Sequence, residues 1–282
     1  MPMILQALVS STDASDDRPN YDHEQNQMLT IRASRAPGFA LQILDTAAPF
    51  LSQPISRLHV LDVGCGYGHT SVELARRCAR VVGIEPSKTL YRHAHQLQLE
   101  AGLGNLEFIH QSVYEFSQRE AYDLVVLDNV FEHLPDQSQA LEIIARAMRP
   151  EGVLYLLVPN KLWPVEVHYH LPFLSYLPLK LGNRYLRLAG RGSDYTDASY
   201  APTFFSLNRI LQSVPELSYQ YVLPAHLEMA TKGNSSWYRA GVALIRRFPW
   251  FWIVSKALLV VAKKDGTMGR APMRPFFAQK GS

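Results

Sequence analysis

The run Val60-Leu61-Asp62-Val63-Gly64-Cys65-Gly66-Tyr67-Gly68-His69 decides how the rest of the chain is read. A short apolar segment, Leu58 to Val63, ends in three alternating glycines. His69 to Cys78 then has helical spacing, with Val72, Leu74, Ala75 and Cys78 apolar. Strand, glycine turn and helix in direct succession put a sharp turn at the carboxyl end of a strand, where glycine lets a ligand approach the main chain. The spacing is G-x-G-x-G rather than the G-x-G-x-x-G that opens onto a pyrophosphate, which disfavours NAD and FAD. Asp62, just before the turn, suits a cationic amino group better than a phosphate. Glu85 follows the next apolar run, Arg80 to Ile84, 21 residues after Gly64. A carboxylate there is placed to accept both hydroxyls of a ribose.

Outward from this run the pattern is regular. Ser87 is the expected N-cap of a helix to about Ala101, with Gly102 and Gly104 as stop signals. Leu106–Ile109, Tyr122–Leu127 and Val153–Val158 read as strands. Gln137–Met148 reads as a helix stopped by Pro150 and Gly152. Continuously apolar strands alternating with helices indicate a parallel sheet covered on both faces. After Pro159 the rhythm breaks for about 40 residues rich in Pro, His, Tyr and Leu. A helix over Thr203–Val214 follows. Leu217–Leu223 and Phe251–Ala262 are expected as strands with a helix near Trp237–Arg247 between them, an antiparallel finish to the sheet. Residues 22–51 read as helical, broken near Pro37-Gly38, after a polar lead-in over 1–20.

Three motifs carry a family resemblance. VLDVGCGYGHTSVELARR (60–77) followed by VVGIEPS (81–87) resembles the class I S-adenosylmethionine-dependent methyltransferases. YDLVVLDNVFEHLPD (122–136) is similar to that family's fourth-strand motif, and the glycine of RPEGVLYLLVPN (149–160) to its turn before the fifth strand. The resemblance implies a Rossmann-like α/β fold: a seven-stranded, mostly parallel sheet with helices on both faces, an antiparallel last strand and a substrate-side insert after the fifth strand. It divides the chain into a lead-in and helical segment (1–54), a cofactor-binding core (55–160), an insert or acceptor lid (161–202), the remaining sheet and helices (203–263) and a basic tail (264–282). The implied cofactor is S-adenosylmethionine. Asp62 would meet its amino group, and Gly64, Cys65, Gly66 and Gly68 would pass beneath it. Glu85 would hold the ribose, with Pro86 or Ser87 bordering the adenine. Gln111-Ser112-Val113 stands where the family often has an acid near the adenine, so contact there falls to Ser112 and Val113 through backbone groups. Asp128 and Asn129 would line the methyl-transfer site. Glu132-His133 reads equally as a helix-starting pair or a ligand contact.

Methyl transfer from a sulfonium is an in-line displacement, and a hydroxyl acceptor benefits from a general base, for which His is suited near neutral pH. His168 and His170, in Trp163-Pro164-Val165-Glu166-Val167-His168-Tyr169-His170, lie just beyond the fifth strand and are the candidate catalytic residues, with Glu166 as orienting partner. The competing reading is that both histidines pack a lid. No Cys or acid cluster around the pair completes a metal site in the sequence, so none is expected.

Charge divides the chain at the same boundary. Residues 1–159 carry 12 Lys/Arg against 19 Asp/Glu and residues 160–282 carry 16 against 6, which the overall +3 conceals. Lys180, Arg184, Arg187 and Arg191 recur at helical spacing with Leu181, Tyr185, Leu186, Leu188 and Ala189 around them. They suggest either an ordinary solvated face or contact with an anionic membrane surface. The expected acceptor is small or amphipathic, lipid-, sugar- or natural-product-like, methylated at oxygen. The alternatives are a protein or RNA acceptor, or a non-catalytic binding module. Asp128-Asn129-Val130-Phe131 lacks the Asp/Asn-Pro-Pro-aromatic run that clamps a flipped base, which disfavours nucleic acid. The apolar stretch Phe248–Ala262 is too short to span a bilayer, and the two cysteines, Cys65 and Cys78, make no disulfide framework. A cytoplasmic protein is expected, either free or peripheral at the membrane surface.

Overall fold

The computed structural model describes residues 25–196, 198–227 and 236–264, the side chains of 25–31, 237 and 238 excepted. The proposed lead-in (1–20) and all but the first residue of the proposed tail lie outside the described residues.

The alternating strands and helices form one seven-stranded sheet in the order β3-β2-β1-β4-β5-β7-β6. The strands are β1 (His59–Val63), β2 (Arg80–Glu85), β3 (Leu106–His110), β4 (Tyr122–Asp128), β5 (Met148–Pro159), β6 (Leu217–Tyr221) and β7 (Ala257–Lys264). The first five pair in parallel, and β7 pairs antiparallel with both β5 and β6. The helices are α1 (Gln25–Ala47), α2 (His69–Ala75), α3 (Lys88–Ala101), α4 (Gln137–Ala147), α5 (Leu179–Leu188), α6 (Phe204–Gln212) and α7 (Ser236–Arg247).

Alternation along the strands builds two cores. Leu61, Val63, Val125 and Leu127 point to one face, with Leu141 and Ile144 of α4 and Leu207 and Leu211 of α6. Val60, Leu124 and Val126 point to the other, with Ile43 and Leu44 of α1, Leu74 of α2 and Ala94 of α3. Both faces are therefore sealed, as continuous apolar strands require. Ser87 caps α3 by accepting from Leu90 N, and Gly102 ends it at φ 62°. Both are the expected signals.

Four local expectations are corrected. The helix of residues 22–51 is not broken at Pro37: α1 runs through it. The carbonyl that Pro37 strips of its partner belongs to Ala33, an exposed residue, so water can satisfy it. Burial of Ala36, Ala40, Ile43, Leu44 and Ala47 along one face holds the helix together. The strand expected from Phe251 begins only at Ala257. Pro249–Val254 is instead a 3-10 segment that buries Trp252 alone of its six residues, against Tyr221 at a ring distance of 5.8 Å. β6 stops at Tyr221, short of Leu223. β5 starts early, at Met148, and Tyr122 pairs with Met148 but Leu124 with Val153, so the glycine turn at 149–152 is a bulge within the strand.

The insert after β5 has its own small core of Leu174, Leu186, Tyr195 and Ala198. Buried Asn160 hinges it to the sheet by donating to the carbonyls of Ile253 (2.9 Å) and Ser255 (3.0 Å) ahead of β7.

Candidate active site

The strand order reverses between β1 and β4, and the region beyond the carboxyl ends of these strands is the crevice where open α/β sheets bind ligands. The loop Gly64–Gly68 forms its floor. Its amides are tied down from β2: Gly64 N and Cys65 N donate to Ile84 O at 2.8 and 3.1 Å. Gly68, at φ 81°, leaves no room for a side chain, since a Cβ would stand 2.6 Å from Phe108 Cζ. Gly66, at φ 58°, is different. Among the described residues a Cβ there would meet nothing nearer than Arg32 Nη1 at 3.9 Å, so this glycine faces open space among them.

Two buried carboxylates flank the loop. Glu85, 4% exposed, accepts from Gly66 N and Ser87 N, each at 2.9 Å, and so joins the loop to the start of α3. Asp62, 5% exposed, accepts from Ser71 Oγ at 2.5 Å. Burial pushes Asp62 up to about 7, helped by the charges of Asp128 and Glu85 and opposed by the Ser71 hydrogen bond. Asp128, at the end of β4, is pushed up to about 6 by burial, opposed by the Asn129 amide (2.8 Å) and by Arg32. Three acids thus converge on one crevice with Ser71 and Arg32 as partial compensation, an arrangement that favours a cation. Arg32, from α1, also lies over the Tyr67 ring at 5.6 Å. Neither Arg32 nor Ser71 was singled out by sequence reasoning.

Ser112 is occupied locally: its hydroxyl accepts from Tyr114 N, and its own N–H donates to Glu115. Buried Val113 lies beside it. Pro86 O receives His110 Nε2 at 3.0 Å, and His110 stacks on Tyr91. Burial raises the thiol of Cys65 well above its usual range and that of Cys78 to about 12, so neither supplies a thiolate nucleophile.

On the insert side the structure separates the two histidines. His168 Nδ1 lies 2.7 Å from Glu166 Oε1, and Glu166 Oε2 accepts from His168 N and Tyr169 N at 2.8 and 2.6 Å. Burial alone would raise Glu166, but these hydrogen bonds hold it below its usual value. His168 Nε2 lies 3.8 Å from Glu132 Oε1, which is also 3.8 Å from His133 Nε2. Glu132 is wholly buried, and burial pushes it up to about 7 despite both imidazoles. His170 is exposed, in a left-handed turn at φ 56°, and lies outside this cluster.

Residues 60–152 match the family described as Methyltransferase domain. Over those residues, about a third of its length, the chain is similar to a methyltransferase domain, and the strand order above accompanies that match. A ubiquinone biosynthesis O-methyltransferase from a Methylobacterium species is 33% identical to it over 114 residues, 40% of this chain and 45% of that protein. One from Rhodopseudomonas palustris is 29% identical over 164 residues, 57% of this chain and 60% of that protein. The chain therefore spans about half the length of these relatives. The plantazolicin methyltransferase BpumL, in complex with SAH, shares the methyltransferase fold with a TM-score of 0.53 over 87% of this chain and 91% of that one, at 17% identity.

Proposed function

We propose that the chain transfers a methyl group from S-adenosylmethionine to an oxygen of a lipid-like or amphipathic acceptor. The observation that carries this is the pair of buried carboxylates, Asp62 and Glu85, on either side of a glycine loop whose central residue faces open space. Asp62 is placed for the ammonium of the cofactor, and Glu85, fixed by the amides of Gly66 and Ser87, for the ribose hydroxyls. Gly64, Cys65 and Gly68 shape the floor, and Pro86, Ser112 and Val113 border the adenine end. Arg32 is added as the partner of the cofactor carboxylate. The bound cofactor supplies an electrophilic methyl group on a sulfonium. Asp128 and Asn129 line the crevice where the acceptor oxygen must approach, and the insert over 161–202 covers it against water. Deprotonation of the acceptor falls to the cluster around His168, held by Glu166. His170 is left out of this assignment because of its exposure. The relatives' printed names support oxygen as the acceptor atom. Comparing lipid extracts of cells with and without the gene by mass spectrometry should show one species gaining a methyl group. Methylation confined to RNA or protein would refute the lipid-like acceptor.

The state of Asp62 predicts a pH dependence. Its folded value, about 7, lies above the ordinary carboxylate value, so burying it ionised costs stability. That contribution is fully present below about pH 4 and is lost as pH rises through about 7. A bound cation reverses the preference. Cofactor affinity should therefore rise from pH 6 to 8 while the melting temperature of the free protein falls over the same range. Asp62→Asn should flatten both profiles, and an unchanged profile in that variant would assign them to other groups.

The second part of the proposal is peripheral membrane contact through the insert. No helix among the described residues is long and apolar enough to cross a membrane. On α5, however, Lys180, Arg184 and Arg187 are exposed, and beside them Leu181 and Leu188 are 53% and 78% exposed. Phe173 and Tyr176 lie just before the helix, also exposed. Cations next to bare apolar side chains suit an anionic interface better than water. In flotation with phosphatidylserine vesicles, reversing Arg184 and Arg187 to Glu should lower partitioning by at least roughly 30-fold, at about 1 kcal/mol for each of the two cations lost and with the new carboxylates repelled besides. Equal flotation of both proteins would remove the membrane contact.

A further inference from the structure

Beyond the crevice that takes the cofactor, the chain brings together Glu132 and His133, from the turn after β4, with His168, from the insert. One ligand atom from each lies within 4.8 Å of the others. We propose that these three residues bind a divalent first-row transition-metal ion, with Glu166 as the carboxylate behind His168.

The first argument is the carboxylate. Glu132 is 0% exposed, and neither of its oxygens accepts a hydrogen bond among the described residues. A buried carboxylate without donors is expensive, and side chains close by normally supply them. Here the two imidazole nitrogens stop at 3.8 Å from the same oxygen, too far for hydrogen bonds. Direct ion pairs would have closed to about 2.8 Å. Two atoms ligating one ion at about 2.0–2.2 Å stand roughly 3–3.5 Å apart, so the two spacings from Glu132 Oε1, 3.8 Å each, need to contract by only a few tenths of an ångström around a metal, and the histidine–histidine spacing lies within 4.8 Å.

The second argument is the tautomer of His168. With Nδ1 2.7 Å from the Glu166 Oε1 acceptor, the proton belongs on Nδ1, which leaves Nε2, 3.8 Å from Glu132 Oε1, as the ligand atom. Carboxylates hold metal-ligating histidines in this way, and Glu166 is itself fixed by the backbone amides of His168 and Tyr169. Two imidazoles and one carboxylate suit zinc, cobalt, manganese or iron better than magnesium or calcium, and leave coordination positions open. The expectation that the His-x-His pair has no metal partner considered only its neighbours in sequence, whereas the acid comes from 36 residues upstream.

The ion's role rests on the methyl-transfer reading, although its binding does not. An open coordination position would take the acceptor oxygen, lower its pKa and present it as an alkoxide or phenolate, with the proton passing to solvent. His168 would then act as a ligand rather than as a base.

The test is a titration of the tag-free, chelator-treated full chain with cobalt(II), followed by its visible absorption and by displacement with zinc. The expected result is one equivalent bound per chain. Glu166→Gln should weaken binding about 10- to 100-fold, and His168→Ala and the isosteric Glu132→Gln by at least as much, with circular dichroism confirming that each is folded. No uptake by the wild type, or undiminished uptake by folded Glu132→Gln and His168→Ala, would overturn the site. Neither result depends on methyl transfer. If methylated product forms while cobalt is not bound, only the metal proposal fails. If cobalt binds while no product forms, only the methyl-transfer reading does.

Discussion

Glu85→Ala should lower affinity for S-adenosylmethionine at least about 100-fold, because each hydrogen bond to a charged group is worth roughly 1.5–3 kcal/mol and two ribose hydroxyls lose their acceptor. The loss has a second component. Glu85 also accepts from Gly66 N and Ser87 N, so removing it frees the glycine loop from the start of α3. Leaving a buried amide without an acceptor costs about 1–3 kcal/mol, so the free protein should also melt lower. Glu85→Gln separates the two effects: it keeps one acceptor oxygen but loses the charge and half of the acceptor capacity. Calorimetric affinities and melting temperatures of the three proteins should rank wild type, Gln, Ala. A Glu85→Ala protein that binds the cofactor as tightly as wild type would mean that the ribose lies elsewhere.

The second large effect distinguishes two glycines two residues apart. Gly68→Ala forces a Cβ to 2.6 Å from the Phe108 ring at φ 81°. Left-handed backbone costs an alanine about 1–2 kcal/mol and overpacking about 1–3 more. At about 2–4 °C per kcal/mol for a domain of this size, the melting temperature should fall roughly 5–15 °C. Gly66→Ala pays only the backbone cost, since its Cβ would enter open space, and should melt within a few degrees of wild type. On the proposed assignment the cofactor crosses the loop at this point, so Gly66→Ala should lose cofactor affinity while remaining folded. Thermal melts with and without the cofactor show both effects. If the Gly66 variant keeps its ligand-induced stabilisation, the cofactor does not cross the loop at Gly66.

The glycine loop, its flanking acids and the strand–helix rhythm were legible because each is a local pattern: Gly64 to Glu85 lies within one strand–helix–strand unit. The unbroken α1 was not legible, because the penalty at Pro37 depends on whether the Ala33 carbonyl reaches water, and that is settled by packing. Pro249–Val254 misled for a related reason: six apolar residues suit a strand and a 3-10 turn alike until the burial of Trp252 selects one. The meeting of Glu132, His133 and His168 was the least accessible feature. The pair after β4 and the histidine of the insert are joined only when the sheet brings the ends of β4 and β5 side by side, Asp128 opposite Leu157. Arg32 likewise reaches the crevice from a helix that precedes every recognisable motif.

The most direct measurement is isothermal titration of the full chain with S-adenosylmethionine near pH 8. The account predicts one cofactor bound per chain, with binding abolished in a folded Asp62→Ala/Glu85→Ala double variant. A folded wild-type chain that takes up no cofactor would contradict it.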